Sequence, residues 1–131
     1  MKKLISTMIA LSLSTPLFAM PNNLLFDALA TKYPDVLGTK LMDCMTCHTI
    51  DKWQRNPYGM DLEDYLRKQI TDAGETPDPS TYTKAFIMKG MKAIELLDSD
   101  NDTFSNLEEL ANGTFPGVST DHPVRPTYDF K

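Results

Sequence analysis

Apolar positions along the chain recur at helical spacing, and no run alternates with the period of a strand. Leu24, Leu25, Ala28 and Leu29 share one face of a segment that Asn22 or Asn23 can cap and Tyr33-Pro34 ends. They predict a first helix through Lys32. Val36, Leu37, Leu41 and Met42 predict a second, over about 35–53. Asn56-Pro57-Tyr58-Gly59 reads as a turn. Leu62, Tyr65, Leu66 and Ile70 predict a third helix over about 61–73, stopped by Gly74. A loop at Thr76-Pro77-Asp78-Pro79 precedes Ser80, placed to cap a fourth helix over 81–97. Tyr82, Phe86, Gly90, Ile94 and Leu97 form its expected buried stripe, with Ile87 and Met91 at the margin and Met88 facing water. A short helix follows Asn106 and ends at Asn112-Gly113, and the tail 116–131, with Pro116, Pro123 and Pro126, is expected to be irregular. The predicted fold class is all-α.

The first 19 residues stand apart. Lys2 and Lys3 precede an apolar run from Leu4 to Leu13, and Pro16-Leu17-Phe18-Ala19 supplies a break and a small residue, the three parts of a secretory signal. The run is short of the ~20 residues that span a bilayer. The expectation is cleavage after Ala19, a periplasmic or otherwise exported protein, and no stable membrane insertion afterwards. The chain then divides into a signal at 1–19, a helical domain at 20–115 and the tail at 116–131. Cleavage takes two lysines and no acid, so the formal charge moves from −5 to −7 over the remaining 112 residues. With 41% apolar and 24% charged residues, the chain is neither a disordered tail nor a polytopic membrane protein. Its acids are spread along the chain with no basic patch, which excludes a nucleic-acid-binding role. Two cysteines are too few for a disulfide scaffold.

Those cysteines carry the strongest signal. Cys44-Met45-Thr46-Cys47-His48 reads C-x-x-C-H, the attachment sequence of c-type haem. Two thiols three residues apart can add across the vinyl groups of one porphyrin edge, and the adjacent imidazole can reach the iron. Burying the porphyrin also supplies apolar volume that so short a chain lacks. Three other uses of the motif compete: a redox dithiol, which normally sits in a βαβ pattern; a zinc site that would recruit His122; and a local disulfide, which gives His48 no task.

With its export signal and these three residues, the chain resembles small exported monohaem c-type cytochromes. The resemblance implies thioether attachment of one haem c through Cys44 and Cys47, proximal ligation of iron by His48, and a downstream proline carbonyl, at Pro57, accepting from the free ring N–H. The sixth ligand stays open among Met91, Met60, His122 and a vacant position, with Met91 first because it borders the expected stripe. Trp53, Tyr58 and Phe86 are candidates to pack on the ring. Lys52 and Arg55 are candidates to pair with propionates.

A second signal is acidic. In Asp98-Ser99-Asp100-Asn101-Asp102-Thr103-Phe104-Ser105-Asn106-Leu107-Glu108-Glu109, oxygen donors stand at positions 1, 3, 5, 9 and 12, with the Phe104 carbonyl at 7. That spacing suits calcium held by Asp98, Asp100, Asp102, Phe104, Asn106 and bidentate Glu109. The loop, 98–109, resembles EF-hand-like and dockerin-type loops. It departs from them in Thr103, where a glycine usually eases the turn, and in Ser105. A solvated acidic turn is the other reading, and the ligand count favours calcium. Glu108 is expected to be a bystander.

The expected function is a periplasmic monohaem cytochrome that carries single electrons and is not an enzyme, docking to a redox partner with a basic surface. The alternative is a five-coordinate haem sensor or weak peroxidase.

Overall fold

The computed structural model describes residues 22–51 and 54–125, so the export signal read at 1–19 lies outside the described residues, as do Lys52, Trp53 and residues 126–131. Among the described residues there are four α-helices and no strand: α1 (Asn22–Lys32), α2 (Pro57–Asp72), α3 (Lys84–Ala93) and α4 (Asn106–Asn112). Short 3-10 turns stand at Pro34–Val36, Cys44–Thr46 and Pro79–Thr81. The fold is all-α. No described helix is long and apolar enough to cross a membrane.

The helix expected over 35–53 does not form across its described part, 35–51. Side chains there satisfy the backbone locally and compete with a helical ladder. Thr39 Oγ1 donates to the Val36 carbonyl at 2.7 Å, and Thr46 Oγ1 donates to that of Leu41 at 2.6 Å. Gly38 sits at φ +76°, outside helical space. Val36 and Leu41 are still buried, so the apolar signal was sound and the periodicity was not.

The expected turn at 56–59 is instead the start of α2. Asn56 accepts from the Gly59 N–H at 2.9 Å as N-cap, and Pro57 takes the first helical position, where a missing N–H costs nothing. Gly74, at φ +79°, follows its end as expected. α3 is shorter than its expected span and is capped by Thr83, because Ser80 is bound into the Pro79 turn by Asp78. α4 carries a reciprocal cap between Ser105 and Glu108, which gives Glu108 a role in the helix start and none among the loop's grouped ligand atoms. Its end is Gly113 in the left-handed region.

α3 packs on both α1 and α2. The core gathers Ala28 and Leu29 from α1, Tyr58, Leu62 and Leu66 from α2, and Ile87 and Met91 from α3. Ile94, Leu110 and Phe115 close it from the C-terminal side. Full burial of each large apolar side chain contributes about 1.5–3 kcal/mol. The buried stripe of α3 is therefore centred on Ile87, Gly90 and Met91; Leu97 is 46% exposed, and Met88 packs against the core instead of facing water. Gly90 is required by a close approach: a Cβ there would lie 2.8 Å from Leu66 Cδ2 and 2.9 Å from Leu62 Cδ1. Beyond α4 the chain runs without helix through 125, as expected of the tail.

Candidate functional site

The cysteine pair sits on a tight turn held from several directions. Asp43 caps it by accepting from the Met45 N–H at 2.9 Å. The His48 and Cys47 amides both return to the Cys44 carbonyl, at 2.9 and 3.2 Å. Asn56, 2% exposed, is the hub: its side-chain amide donates to the carbonyls of Met45 at 2.8 Å and Thr46 at 3.2 Å, and its own backbone N–H donates to that of Cys47 at 3.0 Å. Because Asn56 also caps α2, the helix start and the cysteine turn are one unit. Two glycines let the parts close. A Cβ on Gly59 would meet the Cys47 carbonyl oxygen at 2.0 Å, and one on Gly117 would meet Asn56 at 2.4 Å.

His48 Nδ1 lies 3.2 Å from the Gln54 carbonyl oxygen. A carbonyl only accepts, so Nδ1 donates; in a neutral ring that leaves the lone pair on Nε2, the tautomer a metal ligand needs. The acceptor is thus Gln54 and not Pro57, whose place at the first position of α2 follows from its fixed φ. A mostly apolar cleft, open to solvent, is lined by Leu25, Phe26 and Leu29 of α1, by Asp43, Cys44, Thr46, Cys47 and His48 of the turn, and by Met91 of α3. The residues fit a planar apolar group tethered by two thiols with a metal at its centre: both thiols are free, the imidazole is oriented through Nδ1 by the Gln54 carbonyl, and a thioether shares the lining.

The competing uses of the motif fare worse. Burial pushes the Cys47 thiol up to about 12 against the pull of Arg55, with Cys44 adding to the rise. A redox dithiol needs the reverse, a thiol pKa brought down toward neutrality. Among the described residues, only Asp98, Asp100 and Asp102 bring three metal-ligating side-chain atoms together, so a zinc cluster of cysteines and histidines is not assembled.

Of the sixth-ligand candidates, Met91, 1% exposed, is the one in the pocket lining. Met60 is 49% exposed in the first turn of α2. His122 is exposed, with its ring stacked 5.7 Å from that of Phe104. Tyr58 is a core residue, and Phe86 packs edge-on against Tyr82 at 5.3 Å; neither belongs to the lining. Arg55 pairs with Glu63 at 2.8 Å through one of its terminal nitrogens. Lys52 and Trp53 lie outside the described residues. The sequence reading missed the α1 wall, the Gln54 carbonyl and Asn56. The Asn-Pro pair at 56–57 is a helix-start signal that would have located the last.

The acidic loop is folded around its own oxygens. Asp98 accepts from the amides of Asp102 and Thr103, at 3.0 and 2.9 Å, and Asp102 accepts from that of Phe104 at 2.9 Å. Asn101 and Thr103 take positive φ, 61° and 81°, so Thr103 adopts the backbone that a glycine would hold more cheaply. Arg125 donates to the Thr103 carbonyl at 2.8 Å. Asn106 and Glu109 are fully buried. Asp100 Oδ1 and Oδ2, Asp102 Oδ2, Asn106 Oδ1 and both Glu109 carboxylate oxygens are buried and find no hydrogen-bond partner in the protein. Burial, then Asp100, Asp102 and Asp98, push the Glu109 carboxyl up to about 9. Six buried acceptor atoms without donors, gathered in one loop, fit a hard cation.

No protein-family model, no curated protein and no solved structure matches the chain.

Proposed function

We propose that this chain is an exported monohaem c-type cytochrome that carries single electrons between redox partners, with a calcium ion in its acidic loop. The observation that carries the reading is one pocket lined by Cys44, Cys47, His48 and Met91, with the His48 ring oriented by the Gln54 carbonyl. Bound there, haem supplies one-electron ferric/ferrous chemistry. The chain's own residues attach, orient and shield. Cys44 and Cys47 provide the two sulfurs. Gln54 fixes the imidazole tautomer, so His48 offers Nε2 to iron. Met91 offers a thioether, the ligand that raises a haem potential. Leu25, Phe26 and Leu29 keep the site apolar. A mature charge of −7 supports docking to a basic partner surface.

The test is the full chain expressed in a host competent for covalent haem attachment. The expected product is coloured, heavier by one haem, and low-spin in the ferric state, with the near-infrared charge-transfer band of a methionine–histidine pair. Met91→Ala should abolish that band and leave the covalent haem. A colourless product at the bare polypeptide mass sinks the proposal. A high-spin ferric spectrum with prompt carbon monoxide binding replaces the carrier with the five-coordinate sensor or peroxidase.

Calcium is supported by the unpartnered oxygens of Asp100, Asp102, Asn106 and Glu109, together with Asp98, which the loop amides orient. The ion would neutralise a cluster whose members now raise one another's pKa. At a calcium concentration about 100 times the dissociation constant, binding stabilises the fold by about 2.7 kcal/mol. The melting temperature should therefore rise with calcium and fall with chelator, and Glu109→Gln should remove most of the response. A melting temperature indifferent to both, with no binding heat, excludes the ion.

A further inference from the structure

The calcium loop is joined to two walls of the haem pocket. Asn106 faces both ways. Its buried Oδ1 is among the unpartnered oxygens of the loop, while its Nδ2 donates to the Ile94 carbonyl at 2.8 Å and to Ser99 Oγ at 2.9 Å. The backbone N–H groups of Asn106 and Leu107 donate to the carbonyls of Leu97 and Glu95, at 2.8 and 2.9 Å. The loop and α4 thus grip the turn that ends α3, one helical turn beyond Met91. The Glu95 side chain carries the grip onward. It is 5% exposed, accepts from the Tyr33 hydroxyl at 2.9 Å and pairs with Lys32 at 3.0 Å. Lys32 and Tyr33 close α1, whose Leu25, Phe26 and Leu29 form the facing part of the lining. Met91 and the α1 wall are therefore tied to one acidic loop through Asn106 and Glu95.

We infer that calcium on the 98–109 loop regulates access to the haem pocket, holding α3 and α1 closed over it through Asn106 and Glu95. This deepens the proposed function and rests on it. With the ion bound, the carboxylates of Asp98, Asp100, Asp102 and Glu109 are drawn together and Asn106 keeps its hold on Ile94. Without it, the buried oxygens of Asp100, Asp102, Asn106 and Glu109 have no donor. That cost is relieved when α4 moves outward and admits water, and the motion pulls on the end of α3 and on Glu95. A pocket so loosened admits a competing ligand more readily. By linkage, that ligand must weaken calcium by the same factor.

The experiment uses the haem-loaded full chain in the ferric state and imidazole as the competing ligand. Imidazole affinity is read from the Soret band in excess calcium and in chelator, and calcium affinity is read by calorimetry with and without saturating imidazole. The expected result is imidazole binding at least about fivefold weaker in calcium, with calcium weakened by the same factor in imidazole. Glu95→Gln, which touches no loop oxygen, should still bind calcium and should lose most of that coupling. Calcium heat with an unchanged imidazole affinity overturns the inference and leaves the calcium site standing. Full coupling in Glu95→Gln overturns the relay through Glu95. Absence of calcium heat removes the site itself and the inference with it, and a colourless protein removes the haem reading instead.

Discussion

Asn56 commits both ends of its side-chain amide to backbone partners. Its oxygen caps α2 at Gly59, and its nitrogen holds the Met45 and Thr46 carbonyls of the cysteine turn. Asn56→Ala gives up a cap and leaves buried carbonyls without donors, so unfolding should become easier by about 2–4 kcal/mol, read as a shifted urea midpoint. Asn56→Asp keeps the cap and sets a carboxylate against two carbonyls; it should do no better than alanine. Glu95 carries a pH dependence. Burial raises its carboxyl, but hydrogen bonds from Lys92, Lys32 and Tyr33 outweigh burial and hold it below the ordinary value of 4.5. The unfolded chain therefore takes up this proton first as pH falls. The stabilisation is complete above about 4.5 and disappears as pH drops through the folded value. Glu95→Gln should cost about 2 kcal/mol near neutrality and little in acid, where the two urea midpoints converge. That Cys44, Cys47 and His48 would stand together, as they do in one lining, was legible from spacing. The roles of Gln54 and Asn56 were not, because a backbone carbonyl leaves no mark in sequence and a lone asparagine has many uses.

Among the elements, α3 sets the pocket's geometry. Its buried Gly90 lets it approach Leu62 and Leu66 of α2, and the neighbouring Met91 reaches the lining. Gly90→Ala adds a methyl where two leucine tips stand under 3 Å away. Overpacking of about 1–3 kcal/mol should exceed the ~1 kcal/mol gained in helix propensity, so the melting temperature should fall by a few degrees. The ends of α1, α2 and α4 follow stop signals and were legible, whereas Asn22 and Asn23, expected as caps, lie inside α1. The stretch 35–53 misled because Val36 and Leu41 are core residues placed by turns, and burial alone does not distinguish a helix from a knotted loop. Of the stripe expected on α3, Tyr82, Gly90 and Ile94 are buried and Phe86 packs on the core, but Leu97 is exposed because the helix ends at Ala93, and Ile87 and Met91 are core rather than margin.

For the molecule as a whole, the acidic surface predicts kinetics. Electron exchange with a small cationic reagent should slow as salt is added, and exchange with an anionic one should quicken, because a Debye length of about 8 Å at physiological ionic strength screens the field. Stopped-flow rates that ignore salt for both reagents would remove electrostatic steering. The all-α class was legible, but the joining of the acidic loop to the pocket was not. It runs through Asn106 and Glu95, and the Glu95 side chain bonds Tyr33, 62 positions away in the chain. The same wide spacing orders the making of the site in time. α1 leaves the ribosome first, the cysteine turn next, and Met91 about forty residues later. At ~5–20 residues per second, that lag is roughly 2–9 s. During it both sulfurs stand in a cleft with one side missing. Once α3 arrives, any reagent that modifies them must enter past Met91.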